Sequence, residues 1–329
     1  GEADKTSDAV AAWMLSQDFS RGDRIALLSE GRPEWVLSEL GMLKAGLISV
    51  PLSIKLLSKE IPFRLNHSEA KAIVLSHITL PTVLDAWNDI DTKPFLIIFD
   101  EPGLDVADRI SGMKLERGRD WITWSELVEK GKEALNTDPA LVKKSLDAID
   151  ENDTVNICYT SGTTGNPKGI MLSHLNYWTN AVDAVEHFGL PDAVYETLVI
   201  LPLDHSFAHT VAIYSGLARA ITLSFVDARK GAGSILRNIP INLPERSPYF
   251  LLTVPALSGN FMKKIIAGVA ATGGFINGIF SRGIKAGIAL NGDGYHKPSL
   301  GTRLKYGFNH WLAKTLVFPK VTRIFGTSI

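Results

Sequence analysis

The residues Tyr159-Thr160-Ser161-Gly162-Thr163-Thr164-Gly165-Asn166-Pro167-Lys168-Gly169 are the part of the sequence best suited to chemistry. Small hydroxyl residues and glycines bury almost no apolar surface, so packing does not account for a run of them behind an apolar segment. Glycine permits tight turns that bring backbone N–H groups up to an anion. Hydroxyls add donors, and a lysine supplies a positive charge that can follow a phosphate. The pattern predicts a phosphate-binding loop made by Thr160, Ser161, Gly162, Thr163, Thr164, Gly165 and Lys168. It is not a Walker A loop, in which the lysine is followed by Ser or Thr and opens a helix. Here Gly169 follows, and Ile170-Met171-Leu172 reads as another strand.

Other reactive residues are less well placed. His205 and His209 lie four apart beside Asp204, a spacing that could put both imidazoles on one helix face. No third ligand is spaced as in HExxH, so capping or packing is expected of the pair rather than metal binding. Cys158 sits in an apolar run, which predicts a small buried hydrophobe rather than a nucleophile. No GxSxG elbow marks a serine hydrolase, and no GxGxxG opens a helix after the first strand, as a dinucleotide fold requires. The seven tryptophans are scattered without interleaved cations, so no nucleic-acid surface is expected.

The elements that must position the loop follow from hydrophobic periodicity. Arg24-Ile25-Ala26-Leu27-Leu28 reads as a buried strand after the turn Arg21-Gly22-Asp23. Pro33 suits a first helical position, Val36, Leu37, Leu40 and Leu43 recur at helical spacing, and Gly46 supplies the stop. Leu47–Val50, Ala72–Leu75 and Phe95–Phe99 read as further strands with helical stretches between them. Such alternation implies a parallel sheet covered by helices. Leu141–Asp153 reads as a surface helix plus linker, followed by a strand at Val155–Tyr159 and the glycine-rich loop. A helix over about Leu175–Phe188 and strands near Leu198–Leu201, Ile221–Val226 and Phe250–Val254 complete the expectation.

At 329 residues the chain has room for roughly two lobes of ~150 residues. Its 45% hydrophobic and 21% charged residues exclude intrinsic disorder. One cysteine excludes an internal disulfide framework and favours a reducing, cytoplasmic setting. The formal charge of −1 conceals two opposed parts. Residues 229–329 hold 14 Lys/Arg against Glu245 and Asp293, a net of +12, which leaves −13 on residues 1–228. The start GEADKTSDAVAAW is not a secretory signal. The uncharged stretch Ile265–Phe280 has 16 residues, short of the roughly 20 needed to span a bilayer, so a soluble helix or an interfacial segment is expected.

TSGTTGNPKG, residues 160–169, resembles the phosphate-binding signature of the adenylate-forming superfamily: acyl-CoA synthetases, nonribosomal peptide adenylation domains and luciferases. Other stretches agree in order. GDRIALLSEGRPEWVLSELGMLKAGLISVPL is similar to that family's opening strand–helix–strand, and RLNHSEAKAIV and TWSEL to segments after it. LPLDHSFAHT resembles its aromatic/His motif, and LLTVPAL the wall of its acyl site. The form of LPLDHSFAHT and the basic insert after LLTVPAL are most similar to long-chain fatty acid–CoA ligases. The resemblance implies an α/β fold of mostly parallel sheets layered with helices, an incomplete N-terminal domain of the acyl-CoA synthetase type. It also implies ATP, Mg²⁺ and coenzyme A for the complete enzyme, and a fatty acid substrate. Residues 160–168 would serve the β- and γ-phosphates, Thr160 would offer a hydroxyl to Mg²⁺, and His205 and Phe207 would stand between nucleotide and acyl group.

The family's Tyr-Gly-x-Thr-Glu motif has no working counterpart. Tyr306-Gly307-Phe308-Asn309-His310 is similar but lacks the Thr and Glu, and it falls in the helical pattern KYGFNHWLAKTLVF. The Gly-rich adenine segment, ribose-binding Asp, hinge and C-terminal lid domain with its catalytic Lys are not found either. The expectation is therefore a fragment of a longer ligase, inactive alone. Residues 1–150 would form a first α/β lobe, 151–228 the phosphate-loop region and 229–329 a basic acyl-site and insert region. Its partners would be the missing C-terminal half and, across the basic region, an anionic membrane to which the protein is peripheral. Two other readings stay open: a non-catalytic binding or scaffold module of the same fold, and a ligase for an aryl or amino acid.

Overall fold

In the computed structural model, which describes residues 1–160, 166–190 and 196–326, the alternating pattern becomes a mostly parallel seven-stranded sheet. β1 (Arg24–Leu28) leaves a turn at Gly22, whose φ of 83° costs glycine little. α2 (Pro33–Lys44), the helix after α1 (Glu2–Ser16), starts on Pro33 and stops before Gly46, where φ is 69°. β2 (Ile48–Pro51), α3 (Ile61–Ser68), β3 (Ala72–Leu75), β4 (Phe95–Ile98), β5 (Trp121–Thr123), β6 (Thr154–Thr160) and β7 (Lys168–Ser173) follow. The strand order is β5-β4-β3-β1-β2-β6-β7. Neighbours from β5 to β6 run parallel, whereas β7 runs antiparallel to β6.

Burial on both faces explains the apolar runs. All four residues of β3 are buried, and Ala26, Val50, Ile73, Leu75 and Leu96 share one core cluster. On the sheet's helical cover, α1 packs closely against α2 and the helix Trp124–Thr137. A methyl group at Gly41 would collide with the Val10 side chain, and one at Gly131 with the Ala9 backbone oxygen. These glycines are required by approach distance rather than by dihedral. Thr123 and Glu126 form a capping box that starts the helix after β5, with Thr123 N donating to Glu126 Oε2 at 3.0 Å.

The described residues divide into two units, Gly1–Val194 with Leu201–Ile235 and Tyr195–Ile200 with Leu236–Ile329. The first contains the seven-stranded sheet and also β9 (Thr222–Phe225). The second contains β8 (Glu196–Val199) and the helices Pro255–Ala270, Gly274–Asn291 and Leu300–Leu316. Its small core joins Val269, Ile279, Phe280, Ala313 and Val317, and Gly283 lets the second and third of these helices approach at Ala313.

Three local expectations change. The fully buried stripe of α2 is Trp35, Ser38, Glu39, Met42 and Leu43, while Val36, Leu37 and Leu40 are half-buried. No strand forms over 250–254; Phe250 makes one isolated bridge to Thr197, and Pro255 then opens a helix and biases the residue before it. The uncharged stretch 265–280 is broken at Gly273, φ 108°, into two helices. Among the described residues no helix is long and apolar enough to cross a membrane.

An ion network sits at the carboxyl edge of the parallel strands. Arg32 Nη1 donates to Asp100 Oδ2 at 2.9 Å, Arg32 Nε donates to Glu34 at 2.8 Å, and His77 Nδ1 lies 2.9 Å from Asp100. Burial pushes the Asp100 carboxyl up, but hydrogen bonds from Arg32 and His77 outweigh it and hold the group below the ordinary carboxylate value. A carboxyl depressed by folding adds stability that is complete above its unfolded value, about 3.9, and is lost as pH falls through the lower folded value. Asp100→Asn is expected to flatten the acid limb of stability below about pH 4 in urea titrations across pH. Acid limbs that run parallel in the two proteins would contradict that role.

Candidate functional site

The antiparallel closure of β7 on β6 sets both ends of the glycine-rich loop. In this register Cys158 faces Ile170, Tyr159 faces Gly169, and Thr160 faces Lys168. Thr160 and Lys168 are therefore cross-strand partners at the mouth of the loop, and both are exposed. Ser161, Gly162, Thr163, Thr164 and Gly165 lie outside the described residues. Gly169 is needed where it is, since a Cβ there would stand 2.8 Å from Ile157 Cγ2.

Side chains of β6 anchor this end of the sheet. Tyr159 OH lies 2.8 Å from His67 Nδ1 and donates to the Arg64 carbonyl at 3.3 Å, which ties the strand to α3. Cys158 donates to Asn156 Oδ1 at 2.8 Å, and burial pushes its thiol up to about 11. A thiol held protonated in this way is a buried small residue rather than a nucleophile, as its apolar context predicts. Tyr177 of the helix His174–His187, whose hydroxyl lies 3.8 Å from Cys158 Sγ, stacks on Tyr214 at 4.6 Å between centroids.

The Leu203–His209 segment belongs to the same unit as the loop. His205 is exposed and caps the short helix Ser206–Ala208, its Nδ1 accepting from Phe207 N at 3.2 Å. Phe207 is 45% exposed. His209 points the other way, into the core, where its Nε2 lies 2.9 Å from Glu39 Oε1 and its Nδ1 3.2 Å from the Leu203 carbonyl oxygen. His209 begins a π-helical turn, His209–Tyr214. Burial pushes the adjacent Asp204 carboxyl up. The two histidines thus cap and pack, and no group of three or more His, Cys, Asp or Glu among the described residues could hold a metal.

Glu39 was not anticipated from sequence. Its one local sign is that Trp35, Glu39 and Met42 fall at i, i+4 and i+7, so a carboxylate occupies a buried helical stripe. The similar-looking Tyr306–His310 lies inside the helix Leu300–Leu316, with Phe308 exposed, and is a helix surface rather than a ligand loop.

Residues 1–263 match the family described as AMP-binding enzyme. The chain is 32% identical to 4-hydroxybutyrate–CoA ligase 2 of Metallosphaera sedula over 197 residues, 60% of this chain and 33% of that protein. It is 28% identical to the long-chain-fatty-acid–CoA ligase ACSBG1 of Rattus norvegicus over 275 residues, 81% of this chain and 35% of that protein. The chain spans about a third of the length of these curated relatives. Among solved structures, the adenylation domain of a carboxylate reductase from Mycobacterium chelonae aligns with a TM-score of 0.67 at 19% identity, over 88% of this chain and 44% of that one. The N-terminal domain of FACL13 from Mycobacterium tuberculosis aligns with a TM-score of 0.52 at 24% identity, over 80% of this chain and 57% of that one. The structural likenesses speak for the α/β fold alone. With residues 1–263, most of the sequence, matched by the family model and with a mostly parallel sheet in agreement, the chain belongs to the AMP-binding enzyme family.

Proposed function

We propose that the chain is the phosphate-binding part of an ATP-dependent long-chain fatty acid–CoA ligase. The observation that carries this reading is the Thr160–Lys168 cross-strand pair at the mouth of a Thr/Ser/Gly loop, in a member of the AMP-binding family. A carboxylate is a poor acceptor for a thiol because its oxygen leaves badly. Attack of the fatty acid carboxylate on the α-phosphorus of ATP forms an O–P bond and expels pyrophosphate. The thiol of coenzyme A then attacks the acyl carbon, and AMP leaves with the oxygen. Negative charge spreads over phosphate oxygens in the first step, so the need is for positioned donors and a cation. Backbone N–H groups and hydroxyls of residues 160–165 supply the donors, and Lys168 supplies the charge. The exposed Thr160 hydroxyl is a hard oxygen donor of the type Mg²⁺ takes alongside water and substrate phosphates, and the ion would neutralise polyphosphate charge there. His205 and Phe207 would border the acyl and nucleotide groups.

The chain spans about a third of its curated ligase relatives, so the complete reaction is assigned to the full-length protein. In the full-length protein, fatty-acid-dependent ATP–pyrophosphate exchange is expected, and Lys168→Ala with Thr163→Ala should reduce it about a hundredfold or more. Exchange that survives both substitutions unchanged would contradict the reading. The likeness to a 4-hydroxybutyrate–CoA ligase makes short hydroxy acids the alternative substrates to include in the same assay.

The second unit has a face suited to lipid. On the helix Leu300–Leu316, Leu300 (75% exposed), Leu304 (79%), Phe308 (68%) and Trp311 (59%) form one stripe, flanked by exposed Arg303, Lys305 and Lys314. From Lys263 to Arg323 there are ten Lys/Arg against Asp293. An apolar stripe with a cationic border fits an anionic membrane surface, from which a long-chain acid can be drawn. Co-sedimentation of the full-length protein with phosphatidylcholine vesicles should rise with added phosphatidylserine and fall with salt. Binding indifferent to both would remove membrane contact from the proposal.

A further inference from the structure

Glu39 and His209 are both 0% exposed, and the proposed reaction makes no use of them. The His209 ring stands between two acceptors, Leu203 O at 3.2 Å from Nδ1 and Glu39 Oε1 at 2.9 Å from Nε2. A carbonyl and an ionised carboxylate can only accept, whereas a neutral imidazole has a single N–H. Both contacts are hydrogen bonds only when the pair holds one further proton. The pair is then either imidazolium on carboxylate, or an Nδ1–H imidazole whose Nε2 accepts from a carboxylic acid. Both arrangements are neutral overall, which is the condition under which two ionisable groups tolerate complete burial. Glu39 Oε2 has no hydrogen-bond partner, so His209 is what compensates the buried carboxyl.

Aromatic rings hold the imidazole in place. Trp35 meets it edge-on at 5.5 Å, and Tyr177 stacks on it at 5.1 Å. The same residue controls the exposed segment through its main chain. His209 N donates to His205 O at 3.0 Å while its ring holds Leu203 O, and His205 in turn caps Phe207. Both ends of the Leu203–His209 turn therefore return to one histidine, which is anchored on α2 by a carboxyl 170 residues away in sequence.

We propose that Glu39 and His209 are positioning residues, a one-proton latch that fixes the Leu203–His209 turn and so sets where His205 and Phe207 stand against the substrates. This rests on the ligase reading above and adds to it a specific role for two residues that touch neither substrate. Loss of the latch leaves the turn tethered at fewer points, and a misplacement near 1 Å at a reacting centre is enough to cost a large factor in turnover.

Two substitutions in the full-length protein separate latch from packing. His209→Phe keeps a ring between Trp35 and Tyr177 but removes both ring hydrogen bonds. Glu39→Gln keeps them, because its amide N–H donates to Nε2 while Nδ1–H still reaches Leu203 O. In pyrophosphate exchange on folded protein, His209→Phe should raise the KM for fatty acid about tenfold or more. Glu39→Gln should stay close to wild type. A merely structural role would lower the thermal midpoint and leave KM of the folded enzyme unchanged. Unchanged KM and kcat in His209→Phe overturns the proposal, and so does equal damage in Glu39→Gln. Nitrogen NMR of histidine-labelled protein reads the latch without turnover. A slowly exchanging Nδ1–H on His209 is expected in wild type and Glu39→Gln, and an unprotonated Nδ1 overturns it. If His209→Phe fails to fold, that resonance decides. Wild-type protein without exchange on any acid refutes the ligase reading, while the NMR signal still reports on the latch itself.

Discussion

A parallel strand delivers its carboxyl end to one edge of the sheet, and the next residues must leave that edge before the chain can do anything else. β6 is where this constraint bears on the candidate site. It is held on one side by β2, through the Ser49–Asn156 register, and on the other by β7 running backwards. That reversal fixes Thr160 opposite Lys168 through the backbone pairing of the two strands. The strand itself cannot slide easily: Asn156 and Cys158 are buried, and Tyr159 is tied to α3 through His67 and Arg64. A one-residue slip would turn each of these side chains to the wrong face.

The parts of the fold governed by local rules were legible in the sequence. Gly22, Pro33 and Gly46 punctuate the first strand–helix–strand unit because each answers a backbone requirement that no neighbour can override. The runs at β1, β3 and β4 read directly as buried strands, since burial on both faces leaves no polar alternation to confuse them. Periodicity failed where burial is decided by distant packing. The stripe of α2 that is fully buried carries Glu39, a residue that hydrophobic spacing passes over, and its partner His209 is 170 residues away. The run Leu251–Val254 has strand-like composition, but Pro255 commits the chain to a helix there. The residue types of 160–169 suggest phosphate chemistry, while the pairing of Thr160 with Lys168 depends on the direction of β7, which no spacing rule encodes.

The near-zero formal charge describes neither part of the chain. Within the first unit cations are matched locally to acidic residues, as Arg32 is to Glu34 and Asp100 and Lys44 to Asp4 and Asp8, and the −13 of residues 1–228 is the acidic excess beyond such pairing. Cations of the second unit are arranged differently, along helices whose outward stripe is apolar. Net charge of one sign bears on solubility and association rather than on the fold.

In the proposed ligase, the β6–β7 closure presents the residues from Thr160 to Lys168 to the polyphosphate of ATP. A crystal structure of the full-length protein with a non-hydrolysable ATP analogue and fatty acid tests it most directly. β- and γ-phosphate oxygens are expected within about 3 Å of donors on residues 160–168, Lys168 among them. Phosphates seated elsewhere, with Lys168 turned to solvent and making no contact with the nucleotide, would contradict it.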